Sequence, residues 1–179
     1  MMRAFVAIEV SNKDVLNSIH KIQTELNIKA KPVELHNLHF TVQFLGEISE
    51  EMVRKISDAL NSIEFSVFSI SFDSIGVFPN PKFPRIIWIG INDGINELEK
   101  LSEMIRLKLS QVGFMPDKKF KAHVTIFRVK NKIENISDRL EKFSPYCFGK
   151  QIVSEIKLKK SELTSNGPIY TDLLVVKGK

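Results

Sequence analysis

The stretch Leu38–Gly46 reads as a half-buried strand, with Leu38, Phe40, Val42 and Phe44 alternating with His39, Thr41, Gln43 and Leu45. Side chains two apart share one face of a strand, so this spacing sets His39 beside Thr41. The arrangement returns at Ala122–Phe127: Ala122, Val124 and Ile126 take one face, and His123 and Thr125 take the other. The chain holds only four histidines and five threonines. Two His-x-Thr pairs, each on an alternating apolar strand, therefore constrain the fold more than any other feature.

The flanks repeat as well. Arg3–Glu9 is a β-run, followed by a cap at Ser11 and a helical stripe of Val15, Leu16, Ile19, Ile22 and Leu26. His20 lies on this helix among polar residues and reads as a solvated surface side chain. Lys29-Ala30-Lys31-Pro32 breaks the helix ahead of the His39 strand. In the second half, Arg85–Ile91 is a β-run and Asp93 is a candidate cap. A helix carrying Leu98, Leu101, Ile105, Leu109 and Val112 ends at Gly113, and Phe120–Val129 is the His123 strand. From Arg3 to His39 is 36 residues and from Arg85 to His123 is 38; from each helix cap to its histidine is 28 and 30.

Between the two units, Ser49 caps a helix with Glu50 and Glu51 in its first turn and an apolar stripe through Met52, Val53, Ile56, Ala59, Leu60 and Ile63. Phe65 to Phe78 predicts one long strand, or two with a bend near Gly76. Phe78 to Pro84 carries three prolines and must be a loop. A weak helix is predicted around Ile136 to Phe143, and strands at about Ile152 to Lys160 and Tyr170 to Val176 flank the turn Thr164–Pro168. The reading is one bilobal domain over residues 1–179 with an internal duplication, the repeats covering about 3–78 and 85–176. The expected class is α+β: two pseudo-twofold lobes, each an antiparallel or mixed sheet with helices on its outer face, and a site in the cleft between them.

At 179 residues and 43% apolar composition, a single domain with a real core is available. Thirteen phenylalanines favour β-structure, and Trp88 with most of these rings reads as core. No apolar run is long enough to span a bilayer, and the first residues lack the pattern of a signal peptide, so a soluble, cytoplasmic protein is expected. Nothing calls for an oligomer, so a monomer is expected. The single cysteine, Cys147, excludes an intrachain disulfide and a Cys-rich zinc site. The net charge of +5 is a mild basic excess, compatible with a phosphate-bearing partner.

Two histidines facing each other across a cleft suit in-line displacement at phosphorus: one takes a proton from the attacking water and the other gives one to the leaving oxygen. Thr41 and Thr125 hydroxyls then hold the non-bridging oxygens together with a cation. Arg128, five residues after His123, supplies that cation. The corresponding position in the first unit is Phe44, so the cation comes from one lobe only. A metal centre is the competing reading, with His36, His39, His123 and Glu34 or Glu47 as ligands. However, His36 and His39 stand at odd register, and neither His-x-Thr segment contains a carboxylate.

At these residues the chain resembles the 2H phosphoesterases, and among them the RNA 2′,3′-cyclic phosphodiesterases, also called 2′-5′ RNA ligase-like proteins. The resemblance runs through Arg3-Ala-Phe-Val-Ala-Ile8, Asn37-Leu-His-Phe-Thr-Val-Gln-Phe-Leu-Gly-Glu47 and Gly76-Val-Phe-Pro-Asn-Pro81. It continues in Arg85-Ile-Ile-Trp88, Ala122-His-Val-Thr-Ile-Phe-Arg-Val129 and Leu163-Thr-Ser-Asn-Gly-Pro-Ile-Tyr170. It implies the bilobal LigT-like fold, chemistry that needs no metal or other cofactor, and RNA with a 2′,3′-cyclic phosphate end as substrate. The ring would open to a 2′-phosphomonoester, with His39 as general acid protonating O3′ and His123 as general base. Thr41, Thr125 and Arg128 would bind the phosphate. The natural RNA, tRNA fragments among the possibilities, is left open. Two other readings stand beside this one: a 2′-5′ RNA ligase, and a non-catalytic module that binds RNA ends. Two intact proton carriers argue against the last.

Overall fold

The computed structural model describes residues 1–116, 118–143 and 146–179. Among the described residues, nine strands form one curled antiparallel sheet: β1 (Met2–Glu9), β2 (Lys31–Pro32), β3 (His39–Ile48), β4 (Phe68–Phe78), β5 (Ile86–Ile91), β6 (His123–Arg128), β7 (Gly149–Val153), β8 (Glu155–Thr164) and β9 (Gly167–Lys177). The α-helices that accompany it are α1 (Lys13–Glu25), α2 (Glu50–Asn61), α3 (Ile95–Gln111) and α4 (Ser137–Glu141). No described helix is long and apolar enough to cross a membrane.

The strand order is β7-β4-β5-β6-β3-β1-β8-β9, with β2 beside the far end of β6. This order is palindromic about the β6–β3 junction, where the strands meet at one bridge, Phe40 opposite Val124. The two halves of the sheet are not the two halves of the chain. β4 leaves the first half to pair with β5 and β7, and β8 with β9 returns from the second half to pair with β1. The helices cross in the same way: α1 packs on β6 and β7, and α3 packs on β3. Two lobes thus share one continuous sheet and one core, in which Phe40, Phe72, Phe148, Ile19, Ile56 and Ile105 are fully enclosed.

The structure moves two expected caps by one residue. Asn12, rather than Ser11, caps α1, its Oδ1 accepting from the Asp14 and Val15 amides at 2.9 and 3.1 Å. The reason is a buried tie to β7: the Ser11 and Asn12 amides donate to Gln151 Oε1, and Gln151 Nε2 donates to the Glu9 carbonyl. Gly94, rather than Asp93, precedes α3, with φ +79° and its Cα against the Ser69–Ile70 backbone. A side chain there would be strained and would strike the Ser69 carbonyl. Ser49 caps α2 as expected. The strand predicted at 152–160 is two strands, β7 and β8, broken at Ser154 and belonging to opposite halves of the sheet.

Candidate active site

The Phe40–Val124 bridge organises the site. Both side chains are fully buried on the helix-covered face, so the pleat turns their neighbours to the other face. Continuing the antiparallel register one residue each way sets His39 across from Thr125 and Thr41 across from His123. The four residues form a two-by-two array around the local twofold, and all four are partly buried.

Each ring is oriented alike. His39 Nδ1 lies 2.7 Å from the Asn37 carbonyl and His123 Nδ1 lies 2.8 Å from the Lys121 carbonyl, in both cases two residues upstream. A carbonyl only accepts, so Nδ1 carries the proton in both rings and Nε2 is the nitrogen left for chemistry.

Strict alternation fails just beyond each threonine, for the same reason in both units. Between Ala7–Thr41 and Val6–Gln43 the register skips Val42, and between Trp88–Thr125 and Ile87–Phe127 it skips Ile126. These are matched β-bulges, and in each a consecutive pair is buried: Val42 with Gln43, and Ile126 with Phe127. The extra residue brings position Thr+3 onto the histidine face. Without it, Arg128 would point into the helix layer, three residues from Thr125. With it, Arg128 joins the site face, and among the described residues it makes no ion pair. The matching residue Phe44 lies on the same face and is 70% exposed, which corrects the expectation that it faces the core.

Aromatic walls flank the histidines. Phe5 and Tyr170 lie 5.0 and 5.4 Å from His39, ring centroid to centroid. Phe78 and Trp88 lie 5.3 and 6.3 Å from His123. Trp88 is therefore a half-buried wall of the site and not a core side chain. Its ring lies over Gly76, its ladder partner, where a Cβ would land inside the indole.

Behind His39 stands a charge quartet. Lys157 and Lys159 on β8 are each held by Glu9 of β1 and Asp172 of β9, and Lys159 is only 5% exposed. Glu9 is the ladder partner of His39. The alternation Ile156-Lys157-Leu158-Lys159 carries the sequence signal for two lysines on one face, but nothing local to β8 points to its carboxylate partners. Burial pushes the Glu9 and Asp172 carboxyls up, and the hydrogen bonds and charges of the two lysines outweigh it, holding both below the usual range.

Both histidines are held below their ordinary value. Burial pushes His39 down to about 4; the Asn37 carbonyl and Glu9 act against this, while the charges of Lys159 and Arg128 add to it. Burial also lowers His123, with Lys121 and Arg128 adding to it against the pull of the Lys121 carbonyl. Burial raises the Tyr170 phenol. The free site thus holds neutral imidazoles among fixed cations, an arrangement that favours an anion. His36 lies exposed in the 3₁₀ turn Leu35–Asn37, apart from the array, and His20 is exposed on α1. Among the described residues no three His, Cys, Asp or Glu side chains gather as metal ligands.

The model of the LigT-like phosphoesterases matches the chain twice, over residues 8–88 and 89–170. An RNA 2′,3′-cyclic phosphodiesterase of Archaeoglobus fulgidus is 43% identical over 176 residues, covering 97% of this chain and 99% of the relative. One of Methanocaldococcus jannaschii is 41% identical, covering 94% and 96%. A crystal structure of a Thermus thermophilus protein superimposes with a TM-score of 0.82 at 28% identity, covering 98% of this chain and 97% of that one.

Proposed function

The chain belongs to the LigT-like phosphoesterase family, and from that premise we propose that it hydrolyses RNA 2′,3′-cyclic phosphate ends to 2′-phosphomonoesters by two-histidine acid–base catalysis without a metal. The observation that carries this reading is the two-by-two array of His39, Thr41, His123 and Thr125 about the Phe40–Val124 bridge. His123 Nε2 accepts a proton from water as its oxygen attacks phosphorus. The P–O3′ bond breaks, and His39 Nε2–H protonates O3′. Thr41, Thr125 and Arg128 hold the non-bridging oxygens as charge builds on them.

His39 must be charged to act as the acid, whereas burial, Lys159 and Arg128 keep it neutral in the free protein. The anionic cyclic phosphate supplies the missing counter-charge, so the acid is armed only when substrate is bound. The Nδ1–carbonyl bonds support the same scheme, since they direct Nε2 of each ring to the chemistry. The reading takes the enzyme to act as a monomer on cytoplasmic RNA, tRNA fragments included. It also takes the palindromic strand order to descend from an internal duplication, with repeats of about 3–78 and 85–176; the double family match supports that.

The test is to incubate a short RNA ending in a 2′,3′-cyclic phosphate with the protein in EDTA and to identify the product. A 2′-phosphomonoester formed at the rate seen without chelator is expected. A 3′-phosphomonoester, or activity lost in EDTA and restored by one divalent ion, overturns the mechanism.

A further inference from the structure

Past Arg128 the sheet opens into a groove of about 350 Å³, lined by Ile28, Lys29, Lys31, Arg128, Lys130 and Asn131. Lys31 is the ladder partner of Arg128 across β2 and β6. Lys31 Nζ donates to the Asn166 carbonyl at 2.6 Å, which ties the groove to the β8–β9 turn and leaves the other ammonium protons free. Arg85 adds a further cation at the rim, donating to the Lys130 carbonyl at 3.1 Å. Among the described residues no carboxylate lines the groove, and none of Lys29, Lys31, Arg128 and Lys130 forms an ion pair. Cations held side by side in a concavity repel one another and concentrate a polyanion.

The groove shares Arg128 with the candidate active site, and the charge of Arg128 reaches both histidines. A cyclic phosphate closes the 3′ end of an RNA, so every remaining nucleotide lies on its 5′ side and carries its own negative phosphodiester. Building on the proposed function, we infer that this groove seats the phosphodiesters 5′ to the cyclic end. RNA chains, and not cyclic mononucleotides, are then the preferred substrate. Lys29, Lys31 and Lys130 are binding residues remote from the reacting bond, so they act on KM and leave kcat alone.

The experiment compares the wild type with Lys29→Gln/Lys31→Gln/Lys130→Gln on two substrates: an RNA of about ten nucleotides with a cyclic phosphate end, and the cyclic mononucleotide of the same base. The expected wild-type KM for the RNA is lower by on the order of 10–100-fold, and the triple variant loses that advantage with kcat and mononucleotide kinetics unchanged. Each phosphate contact to a single strand contributes about 0.7 to the slope of log affinity against log salt, so neutralising three lysines lowers that slope by about 2. The pair Lys29→Gln/Lys130→Gln, which spares the Lys31–Asn166 bond, gives an intermediate KM if the charges matter. A loosened β8–β9 turn would leave that pair like the wild type and overturn the inference. Equal wild-type KM values for the two substrates, or polyglutamate competing as well as a 3′-hydroxyl RNA of equal charge, also overturn it. If the wild type cleaves neither substrate, the proposed function fails and the groove is judged by binding alone. Weaker anisotropy-measured binding of the 3′-hydroxyl RNA to the triple variant then supports it, and unchanged binding overturns it.

Discussion

In the proposed mechanism, charge on His39 and His123 sets the pH dependence of the rate. A kcat/KM profile is referred to free enzyme and free substrate, and the reacting complex carries one extra proton over the two rings, so its maximum lies between the two free-enzyme pKa values. Both values are depressed below 6.5, that of His39 to about 4. The maximum of kcat/KM is therefore expected below pH 6.5, with the rate falling as pH rises through neutrality. This holds whichever histidine is the acid. The kcat profile reports the bound state, where the substrate's negative charge raises both values, so it is expected at higher pH. His39→Ala and His123→Ala should each lose on the order of 10²–10⁴ in rate and one limb of the profile. A kcat/KM maximum above neutrality would show that burial and the neighbouring cations do not govern these rings.

Among the elements, the two bulged strands matter most. The His-x-Thr pairs follow from period two, but the arrival of Arg128 on the same face depends on Ile126 being left out of the ladder. Trp88 is braced in a similar way: β4 offers Gly76 opposite it, and the bare backbone leaves room for the indole, which meets His123 edge-on and Phe78 at a tilt. Gly76→Ala forces the ring to move. The expected cost is about 1–3 kcal/mol of stability, the usual range for overpacking. Because Trp88 is the only tryptophan, its fluorescence reports that movement directly. A shifted emission maximum with reduced kcat/KM on the cyclic phosphate is expected. An unchanged emission maximum and unchanged melting temperature would mean that the indole does not rest on Gly76.

For the molecule as a whole, the sheet binds the two chain halves together. β4 finds its partners in β5 and β7, and β8 pairs with β1 as well as with β9, so neither half owns a complete sheet. Residues 1–84 and 85–179, expressed apart, are each expected to lack a cooperative thermal transition and to recover one when mixed. Two independently folding halves would contradict the shared core.

Much of this architecture can be read from the residues alone, because alternation and capping are local. The strands bearing His39 and His123, the Ser49-capped helix, the proline loop and the placing of Thr41 beside His39 and of Thr125 beside His123 all rest on patterns a few residues long. What the tertiary structure alone decided depends on partners far away in the chain. A bulge is a mismatch between two strands, so neither β3 nor β6 announces it, and the faces of Phe44 and Arg128 were decided only by pairing with β1 and β5. The Glu9–Lys157–Asp172–Lys159 quartet and the exchange of β4 and β8 between sheet halves are likewise contacts between distant segments, which no local pattern encodes.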